Sequence, residues 1–327
     1  MAIRSSIDEL ACWLREHDDY VLIGHVSPDG DAVGSCFAAM LALQAIGKRA
    51  FVCLPNSMCQ IFREIFGAFH PYAPQDAKPF TPRTALVLDV GDEFRMGEAI
   101  TLYQQCEHKA LMDHHDTNAG FGDVFVVDSA CSATAEMVFQ LIRALGVELT
   151  REMATCLYVA ISTDSGHFSY ENTTSETMRI AAELIAYGID FPCIARTLYK
   201  TRSLKRTLLT GQVISGIQLA CDGRVAWAKL TGEMLGKTGA ESSDNEGIVN
   251  YLLEVEGVEG AVLAEERKDC TKFSLRAKEY LDVACVARKF GGGGHVRSAG
   301  CTIQGDMDAA IDLVLDSMAE ALKKAAR

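Results

Sequence analysis

Short apolar runs alternate with helical segments between residues 20 and 189, and this alternation limits the possible folds more than any other feature of the sequence. The apolar runs are YVLIG, RAFVCL, TALVLDV, HKALM and DVFVV. Segments with helical spacing, such as DAVGSCFAAMLALQAIG and SATAEMVFQLIRALG, lie between or after them. This pattern predicts an α/β domain built on a doubly wound, mostly parallel sheet.

The chain is long enough for a second domain. Its 327 residues exceed the roughly 100 to 200 residues of a usual domain. We predict a first domain over 1–190, a helical linker over 191–211 and a smaller α/β domain with a more mixed sheet over 212–327.

The charge balance is strongly acidic. The chain has 31 Lys and Arg residues against 44 Asp and Glu residues, which gives a formal net charge of −13. Duplex nucleic acid is bound through many cationic contacts to phosphate, so this surface disfavours duplex DNA as a partner. Any nucleic acid partner is expected to be short and held locally.

The cysteines and the hydropathy pattern predict the cellular location of the protein. The 12 cysteines are spread along the chain without a CxxC pair, which predicts reduced thiols. No segment approaches the roughly 18 uninterrupted apolar residues of a membrane span. We therefore predict a cytoplasmic protein with no membrane partner.

The first apolar run is followed by a dense group of ionisable residues in GHVSPDGDAVGS. His25, Asp29 and Asp31 fall within seven residues of each other. Open α/β sheets bind ligands at the carboxyl ends of their strands, so these side chains are candidate ligands. A structural interpretation is also available, in which Asp31 caps a helix that begins at Ala32 and Asp29 is a turn residue.

Recurrence of the same pattern favours a binding site over isolated caps and turns. Asp89 follows TALVL, and Asp113, His114 and His115 follow HKALM. Asp164 follows the helical run CLYVAIST and adds a carboxylate at a helix end. Mixed imidazole and carboxylate ligands suit manganese, iron or zinc better than calcium. The sequence therefore predicts a metal site where the strand ends meet.

The order of these motifs resembles the motif series of the DHH phosphoesterase family, which is named for its third motif. The resemblance continues in GGGGHVRSAG, from Gly291 to Gly300, which is similar to the GGGH signature of the DHH-associated C-terminal domain. Arg276 lies in FSLRAK, where that domain usually carries an arginine. The resemblance covers nearly the whole chain and is greatest to bifunctional oligoribonucleases and 3′-phosphoadenosine 5′-phosphate (PAP) phosphatases.

This resemblance implies two bound divalent cations, with Mn²⁺ expected and Mg²⁺ or Co²⁺ as alternatives. The ligands implied for one cation are His25, Asp29 and Asp89. The ligands implied for the other are Asp31, Asp89, His114 and Asp164. Asp89 would bridge the pair.

The resemblance also implies roles around the cations. The catalytic group would comprise Asp89, Asp113, His114 and His115, with His115 facing the substrate phosphate and Asp113 orienting His114. The implied substrate-binding residues are His115, Arg95, Arg276, Gly293, Gly294, His295 and Arg297. The family often has AAG after the final histidine, so Arg297 is a departure that is expected to alter substrate preference.

The activity implied is hydrolysis of short oligoribonucleotides to nucleoside monophosphates, of PAP to AMP, or of both. The domain over 1–190 would be the catalytic domain and that over 212–327 the substrate-binding domain. The active site is expected in a cleft between them, where the first would cut the substrate and the second would grip it. The partner would be short single-stranded RNA or a small nucleotide, and a homodimer is allowed. The nearest alternative is a cyclic- or linear-dinucleotide phosphodiesterase. A manganese-dependent pyrophosphatase is disfavoured by GGGGH and by Thr201-Arg202-Ser203, which does not match the Ser-Arg-Lys signature of that group. A non-catalytic nucleotide sensor is disfavoured because all six implied ligand positions are filled.

Overall fold

The computed structural model of the chain describes residues 3–325, except for the side chain of His295. The chain divides into two structural units, with the boundary between Thr201 and Arg202. That point lies inside the linker predicted over 191–211, and the domain limits given above stay a prediction.

The first unit is built from alternating strands and helices. Its strands are β1 (Ile3–Arg4), β2 (Tyr20–Ile23), β3 (Ala50–Cys53), β4 (Thr84–Leu88), β5 (His108–Asp113) and β6 (Val124–Val127). Its α-helices are α1 (Ile7–Glu16), α2 (Gly30–Ala45), α3 (Gln60–Ile65), α4 (Ile100–Gln105), α5 (Thr134–Ala144), α6 (Arg151–Asp164), α7 (Ser175–Ala186) and α8 (Phe191–Ala195). A 3-10 helix over Glu93–Ala99 precedes α4, and a π-helical turn over Arg196–Lys200 follows α8.

The sheet of the first unit has the strand order β1-β6-β5-β4-β2-β3, and all its neighbouring strands are parallel. The chain adds β3 on one side of β2 and then crosses to add β4 on the other side. The strand order therefore reverses beside β2, and the carboxyl ends of β2 and β4 lie next to each other at this switch point. The predicted doubly wound parallel sheet is confirmed.

Burial on both faces explains why the strands are almost entirely apolar. Leu22 and Leu86 are paired across β2 and β4 and belong to the core on one face of the sheet. Val21 and Ala85, one residue earlier, belong to the core on the other face. A strand with helices on both sides has no solvent face, so the alternation of polar and apolar residues is lost.

Two glycines allow α2 and α6 to pack closely. A Cβ atom on Gly34 would lie 2.4 Å from the carbonyl oxygen of Cys156 and 2.9 Å from Cβ of Ala160. A Cβ atom on Gly30 would lie 2.2 Å from Oγ1 of Thr163. The two helices run antiparallel, so this contact places the first turn of α2 beside the last turn of α6.

The second unit contains a mixed sheet, as predicted. Its strands are β7 (Gln218–Ala220), β8 (Val225–Leu230), β9 (Gly260–Glu266), β10 (Cys270–Ala277), β11 (Gly293–His295) and β12 (Ser298–Gln304). Its helices are α9 (Leu204–Ser215), α10 (Gly232–Thr238), a 3-10 turn (Ser242–Asn245), α11 (Ile248–Leu253), α12 (Val283–Arg288) and α13 (Met307–Ala325). The strand order is β11-β12-β10-β9-β8-β7, in which only β8 and β9 are parallel.

The helices of the second unit cover both faces of its sheet. Residues of α12 and α13 pack with Phe273 in one core, and residues of α9 and α11 pack with Leu263 in the other. Among the helices described in residues 3–325, none is both long and apolar enough to cross a membrane.

We expect Gly34→Ala to lower the free energy of unfolding by about 1–3 kcal/mol, because the added methyl group overlaps the backbone of α6. Gly211→Ala is the matched control. Gly211 lies inside α9 with no atom within 4 Å of an added Cβ, so this change should stabilise by about 0.5–1 kcal/mol. Urea unfolding of both variants measures the two effects, and an unchanged stability in Gly34→Ala would refute the close contact.

Candidate metal centre

His25 follows β2 and is oriented by the backbone. Its Nδ1 lies 2.7 Å from the carbonyl oxygen of Val26, to which it donates a hydrogen bond. That bond leaves Nε2 with its lone pair, the form in which histidine binds a metal. Nε2 lies 3.5 Å from Oδ1 of Asp29 and 3.5 Å from Oδ2 of Asp89.

Asp29 is the N-cap residue of α2. Its Oδ1 accepts hydrogen bonds from the backbone N–H groups of Asp31 and Ala32, each at 3.1 Å. The alternative in which Asp31 caps a helix beginning at Ala32 is therefore wrong, since α2 begins at Gly30 and Asp31 lies within its first turn. Asp29 is both a cap and a neighbour of His25.

Asp31 is fully buried and accepts hydrogen bonds from the first turn of another helix. Its Oδ2 lies 2.6 Å from the backbone nitrogen of Thr134, and its Oδ1 lies 3.0 Å from that of Ala135. Both N–H groups belong to the start of α5, where the helix has unpaired donors and a partial positive charge. Ser35 donates a further hydrogen bond to Oδ1 at 2.9 Å.

Asp89 stands at the centre of the site, immediately after β4. Its φ of 60° lies in the left-handed region, which non-glycine residues adopt at a cost and mostly where the surroundings enforce it. The residue is 2% exposed. Its Oδ1 lies 3.7 Å from Nε2 of His114 and 3.8 Å from Nδ1 of His115, and it accepts a hydrogen bond from Oγ1 of Thr134 at 3.2 Å.

Asp113 is buried at the end of β5 and orients His115. Its Oδ1 lies 2.7 Å from Nδ1 of His115, and its Oδ2 accepts a hydrogen bond from Nδ2 of Asn118 at 2.6 Å. The expectation that Asp113 orients His114 is corrected by this contact. Only the backbone nitrogen of His114 donates to Asp113, at 2.9 Å, while Nδ1 of His114 lies 3.3 Å from the carbonyl oxygen of Cys131.

Asp164 is the last residue of α6 and completes the cluster. Its Oδ2 lies 3.2 Å from Nε2 of His114. Three groups, each with ligand atoms within 4.8 Å of one another, could hold a metal ion. They are His25, Asp29 and Asp89; Asp31, His114 and Asp164; and Asp89, His114 and His115.

The donor set fits divalent cations. Most of the nitrogen-to-oxygen distances between His25, His114 and the carboxylates are 3.5 to 3.7 Å, too long for a good hydrogen bond. Such distances are suitable for atoms that share a metal ion with bonds of about 2.0–2.2 Å. The cluster contains imidazole as well as carboxylate donors, which favours manganese over calcium.

Buried negative charge changes the proton affinities of the site. Burial raises the pKa of Asp31 well above its usual value, and burial raises the pKa of Asp164 to about 7. Burial opposes protonation of His25, but the carboxylates of Asp29 and Asp89 raise its pKa to about 10. Without a metal, protons are thus held by the groups that a cation would bind.

The hydrogen bond between His115 and Asp113 shifts the pKa values of the two residues in opposite directions. The hydrogen bond to Asp113 raises the pKa of His115 although burial opposes it. Burial acts to raise the pKa of Asp113, but its hydrogen bond with His115 lowers it. Asp113 is therefore ionised, and His115 is favoured in its protonated form.

Arg95 lies beside the metal-ligand cluster, on the 3-10 helix that follows β4. Its Nη2 lies 3.4 Å from Nδ1 of His25, and its carbonyl oxygen accepts a hydrogen bond from the backbone nitrogen of Val26 at 2.7 Å. The side chain is exposed. A guanidinium group in this position can reach an anionic substrate near His25.

The arginines predicted in the second unit make local contacts. Arg276 lies on β10, where its Nη1 donates to the carbonyl oxygen of Leu275 at 3.0 Å. The guanidinium of Arg297 donates to the carbonyl oxygens of Leu281, at 3.1 Å, and of Glu279. Arg297 therefore holds the loop before α12, and its effect on substrate preference stays a prediction.

The glycine run forms the first strand of a tight hairpin. Gly293 and Gly294 pair with Gly300 and Ala299 of β12. Gly294 has a φ of 139°, and a Cβ atom there would lie 2.4 Å from the carbonyl oxygen of Ser298. A Cβ on Gly293 would meet nothing within 4 Å, so its backbone is open on that side. The side chain of His295, predicted to bind substrate, lies outside the described part of the chain.

Sequence reasoning missed Thr134 and Asn118. Thr134 contacts both Asp31 and Asp89, and Asn118 fixes Asp113. The available signals were weak: Thr134 is a polar residue at a helix start after β6, and Asn118 lies three residues after the DHH motif. Neither signal specifies a partner distant in sequence.

Comparison with protein families and known proteins agrees with the geometry. Residues 19–161 match the DHH family, N-terminal domain, and residues 222–324 match the DHHA1 domain. The chain is 36% identical over 305 residues to the bifunctional oligoribonuclease and PAP phosphatase NrnA of Thermus thermophilus, covering 92% of this chain and 89% of that protein. It is 24% identical to the cyclic-di-AMP phosphodiesterase PdeA of Listeria monocytogenes, covering 91% of this chain and 46% of that protein.

A solved structure has nearly the same fold over the whole chain. The exopolyphosphatase-related protein from Bacteroides fragilis superposes with a TM-score of 0.92 at 28% sequence identity. The match covers 98% of this chain and 97% of that one.

We expect Mn²⁺ to raise the melting temperature, because a ligand that binds only the folded state stabilises it by about 2.7 kcal/mol at 100 times its Kd. Asp89→Asn should lose most of this gain, since Asp89 adjoins His25 and His114. Asp116→Asn, which changes an exposed carboxylate on the loop after β5, should keep it. Thermal unfolding with and without EDTA measures the gain. Equal gains in both variants would contradict a metal centre at Asp89.

The stabilisation by Mn²⁺ should grow with pH. In the metal-free protein, the pKa of Asp164 is raised from 3.8 to about 7, so the folded state holds a proton that the unfolded chain releases. Stability without metal therefore falls as pH rises from about 4 to about 7. Mn²⁺ binds the ionised carboxylates and removes this loss. The melting-temperature gain should be larger at about pH 8 than at about pH 5.5, and a larger gain at the lower pH would contradict this assignment.

Proposed function

Because this chain belongs to the DHH family, we propose that it is a phosphoesterase that hydrolyses short oligoribonucleotides to nucleoside monophosphates and PAP to AMP. The convergence of His25, His114 and three further aspartates around Asp89 carries the proposal, because it is an arrangement suited to metal-dependent hydrolysis. The 36% identity to an oligoribonuclease and PAP phosphatase supports the choice of substrates.

The proposed cofactor is a pair of divalent cations, most suitably Mn²⁺, with Mg²⁺ or Co²⁺ as alternatives. His25, Asp29 and Asp89 would hold one cation. Asp31, Asp89, His114 and Asp164 would hold the other. Such a pair, when bound, lowers the pKa of water and offsets the charge on the phosphoryl oxygens.

The remaining polar groups would position and neutralise the phosphate. His115 bonds Asp113 through Nδ1, which leaves Nε2 as the nitrogen that can donate to a phosphate oxygen. Asn118 keeps the Asp113 carboxylate in place from the other side. The exposed guanidinium of Arg95 can add two donors to a phosphate, because its geometry matches neighbouring oxygen atoms.

The charge of the protein favours short substrates. A net charge of −13 opposes binding along an extended polyanion, whereas a single nucleotide phosphate needs only local cationic groups. We propose short single-stranded RNA, and not duplex DNA, as the nucleic acid partner. Arg276 and the hairpin of Gly293, Gly294 and His295 are proposed as nucleotide contacts of the second unit. Substrates of this kind and the absence of disulfides among the described residues favour a cytoplasmic location.

A dinucleotide phosphodiesterase is the second candidate function. The similarity to PdeA extends over 91% of this chain, although it covers only 46% of that protein. The same metal centre could serve an oligoribonucleotide or a dinucleotide, because both are cleaved at a phosphodiester. The two functions therefore differ only in which substrate is turned over fastest.

Parallel assays with Mn²⁺ and four substrates test the proposal: a trinucleotide RNA, PAP, a cyclic dinucleotide and pyrophosphate. We expect release of mononucleotide or phosphate from the first two. Asp89→Asn should reduce both rates by about 10²–10³-fold or more, because it removes the charge nearest to both ligand groups. Asp116→Asn should retain them. Turnover of the cyclic dinucleotide or pyrophosphate alone would reassign the function, and no turnover would favour a nucleotide sensor.

A further inference from the structure

A second concavity lies in the first unit, at the carboxyl end of β3. Its volume is about 550 Å³, which falls within the usual range for a small-molecule site. One wall is the loop that follows β3, and another is the segment 69–76 that returns along its edge. The lining residues include Asn56, Arg63, Phe69, Tyr72 and Gln75.

A hydrogen bond joins the lining of this pocket to the loop that carries His25 and Asp29. Oδ1 of Asn56 accepts a hydrogen bond from the backbone nitrogen of Ser27 at 2.9 Å. Ser27 lies between His25 and Asp29 and has a φ of 53°, in the left-handed region. Because β3 is the parallel neighbour of β2, the pocket and the metal centre open at the same edge of the sheet.

Hydrogen bonds hold the pocket wall in place. Tyr72 is held against β3 by hydrogen bonds from its backbone nitrogen to Val52 at 2.9 Å and from Leu54 to its carbonyl oxygen at 3.0 Å. The Lys78 ammonium donates to the carbonyl oxygens of Ala73, at 2.8 Å, and Pro74, at 3.0 Å. A wall fixed in this way binds a ligand without paying for its own ordering.

The lining combines aromatic, amide and cationic groups with one carboxylate, that of Asp76, which accepts a hydrogen bond from the backbone nitrogen of Ala73 at 2.7 Å. The rings of Phe69 and Tyr72 are partly buried, with Phe69 stacked on Phe37, and their remaining surface lines the pocket and can contact a planar ligand. Nδ2 of Asn56 and the amide of Gln75 can bond the edge of a base. The guanidinium of Arg63 is exposed and forms no ion pair with any residue between 3 and 325. An unpaired arginine beside a concavity in so acidic a chain is suited to an anion.

We propose that this pocket is a second nucleotide subsite, which binds the nucleoside that keeps the scissile phosphate after hydrolysis. The base would contact Phe69 and Tyr72, and the phosphate that follows this nucleoside would lie at Arg63. The inference rests on the proposed function and adds a length preference to it. A trinucleotide fills the subsite, whereas PAP has a single nucleoside and does not.

Arg63→Gln tests the subsite, with Arg179→Gln as the matched control. The control makes the same charge change on an exposed arginine of α7 whose partners are Glu176 and Ser175. We expect Arg63→Gln to raise the KM for a trinucleotide RNA about tenfold relative to the control, as loss of one charge-assisted hydrogen bond implies. The kcat for the trinucleotide and both constants for PAP should be unchanged.

A second variant, Ser57→Trp, fills the pocket from an exposed position on its rim. It should raise the KM for the trinucleotide in the same selective way. A trinucleotide KM that matches the control in both variants, or an equal rise for PAP, would overturn the subsite. A wild-type protein that cleaves neither substrate would instead refute the proposed function. If the wild type cleaves only RNA, the comparison with Arg179→Gln still decides the inference.

Discussion

The close contact between α2 and α6 is the constraint on which the metal-ligand cluster depends. Gly30 and Gly34 leave no side chain between the helices, so the first turn of α2 meets the last turn of α6. Asp31 is carried by the former and Asp164 by the latter. A larger residue at either glycine would separate two carboxylates that belong to different parts of the chain. Packing in the helical layer therefore sets the dimensions of the site.

The sheet supplies the other half of the arrangement, and backbone donors keep the acidic cluster ordered. β2 and β4 are adjacent at the switch point, which brings His25 to 3.5 Å from Asp89. The N–H groups of α2 and α5 hold Asp29 and Asp31 in place. These bonds orient the oxygens but do not neutralise them, so several negative charges remain for a cation to balance.

Much of the fold and of the ligand positions could be predicted because the signals are local. An apolar run that ends in Asp89 or Asp113 marks both a strand and the edge where its side chain lies. The partners could not be predicted in the same way. Asp113 bonds His115 and not the His114 imidazole, and Arg297 bonds two carbonyls, because rotamers and loop geometry decide these contacts. The bond between Asp31 and α5 joins residues 103 apart, a separation at which a single sequence carries no pairing signal.

The hydrogen bonds between Asp31 and the start of α5 limit how the sequence of this family can diverge. Asp31 belongs to the candidate metal-ligand cluster and also bonds the start of α5, so its replacement would damage the scaffold even in a protein that needed no catalysis. Among the residues that the structure describes, the side chains of His25 and Asp164 accept no hydrogen bond from the backbone of another helix. A related protein that lost catalysis and only bound its ligand would be expected to lose His25 and Asp164 before Asp31. An aspartate at position 31 in a distant relative is therefore weak evidence for catalysis. Retention of His25 and Asp164 is stronger evidence.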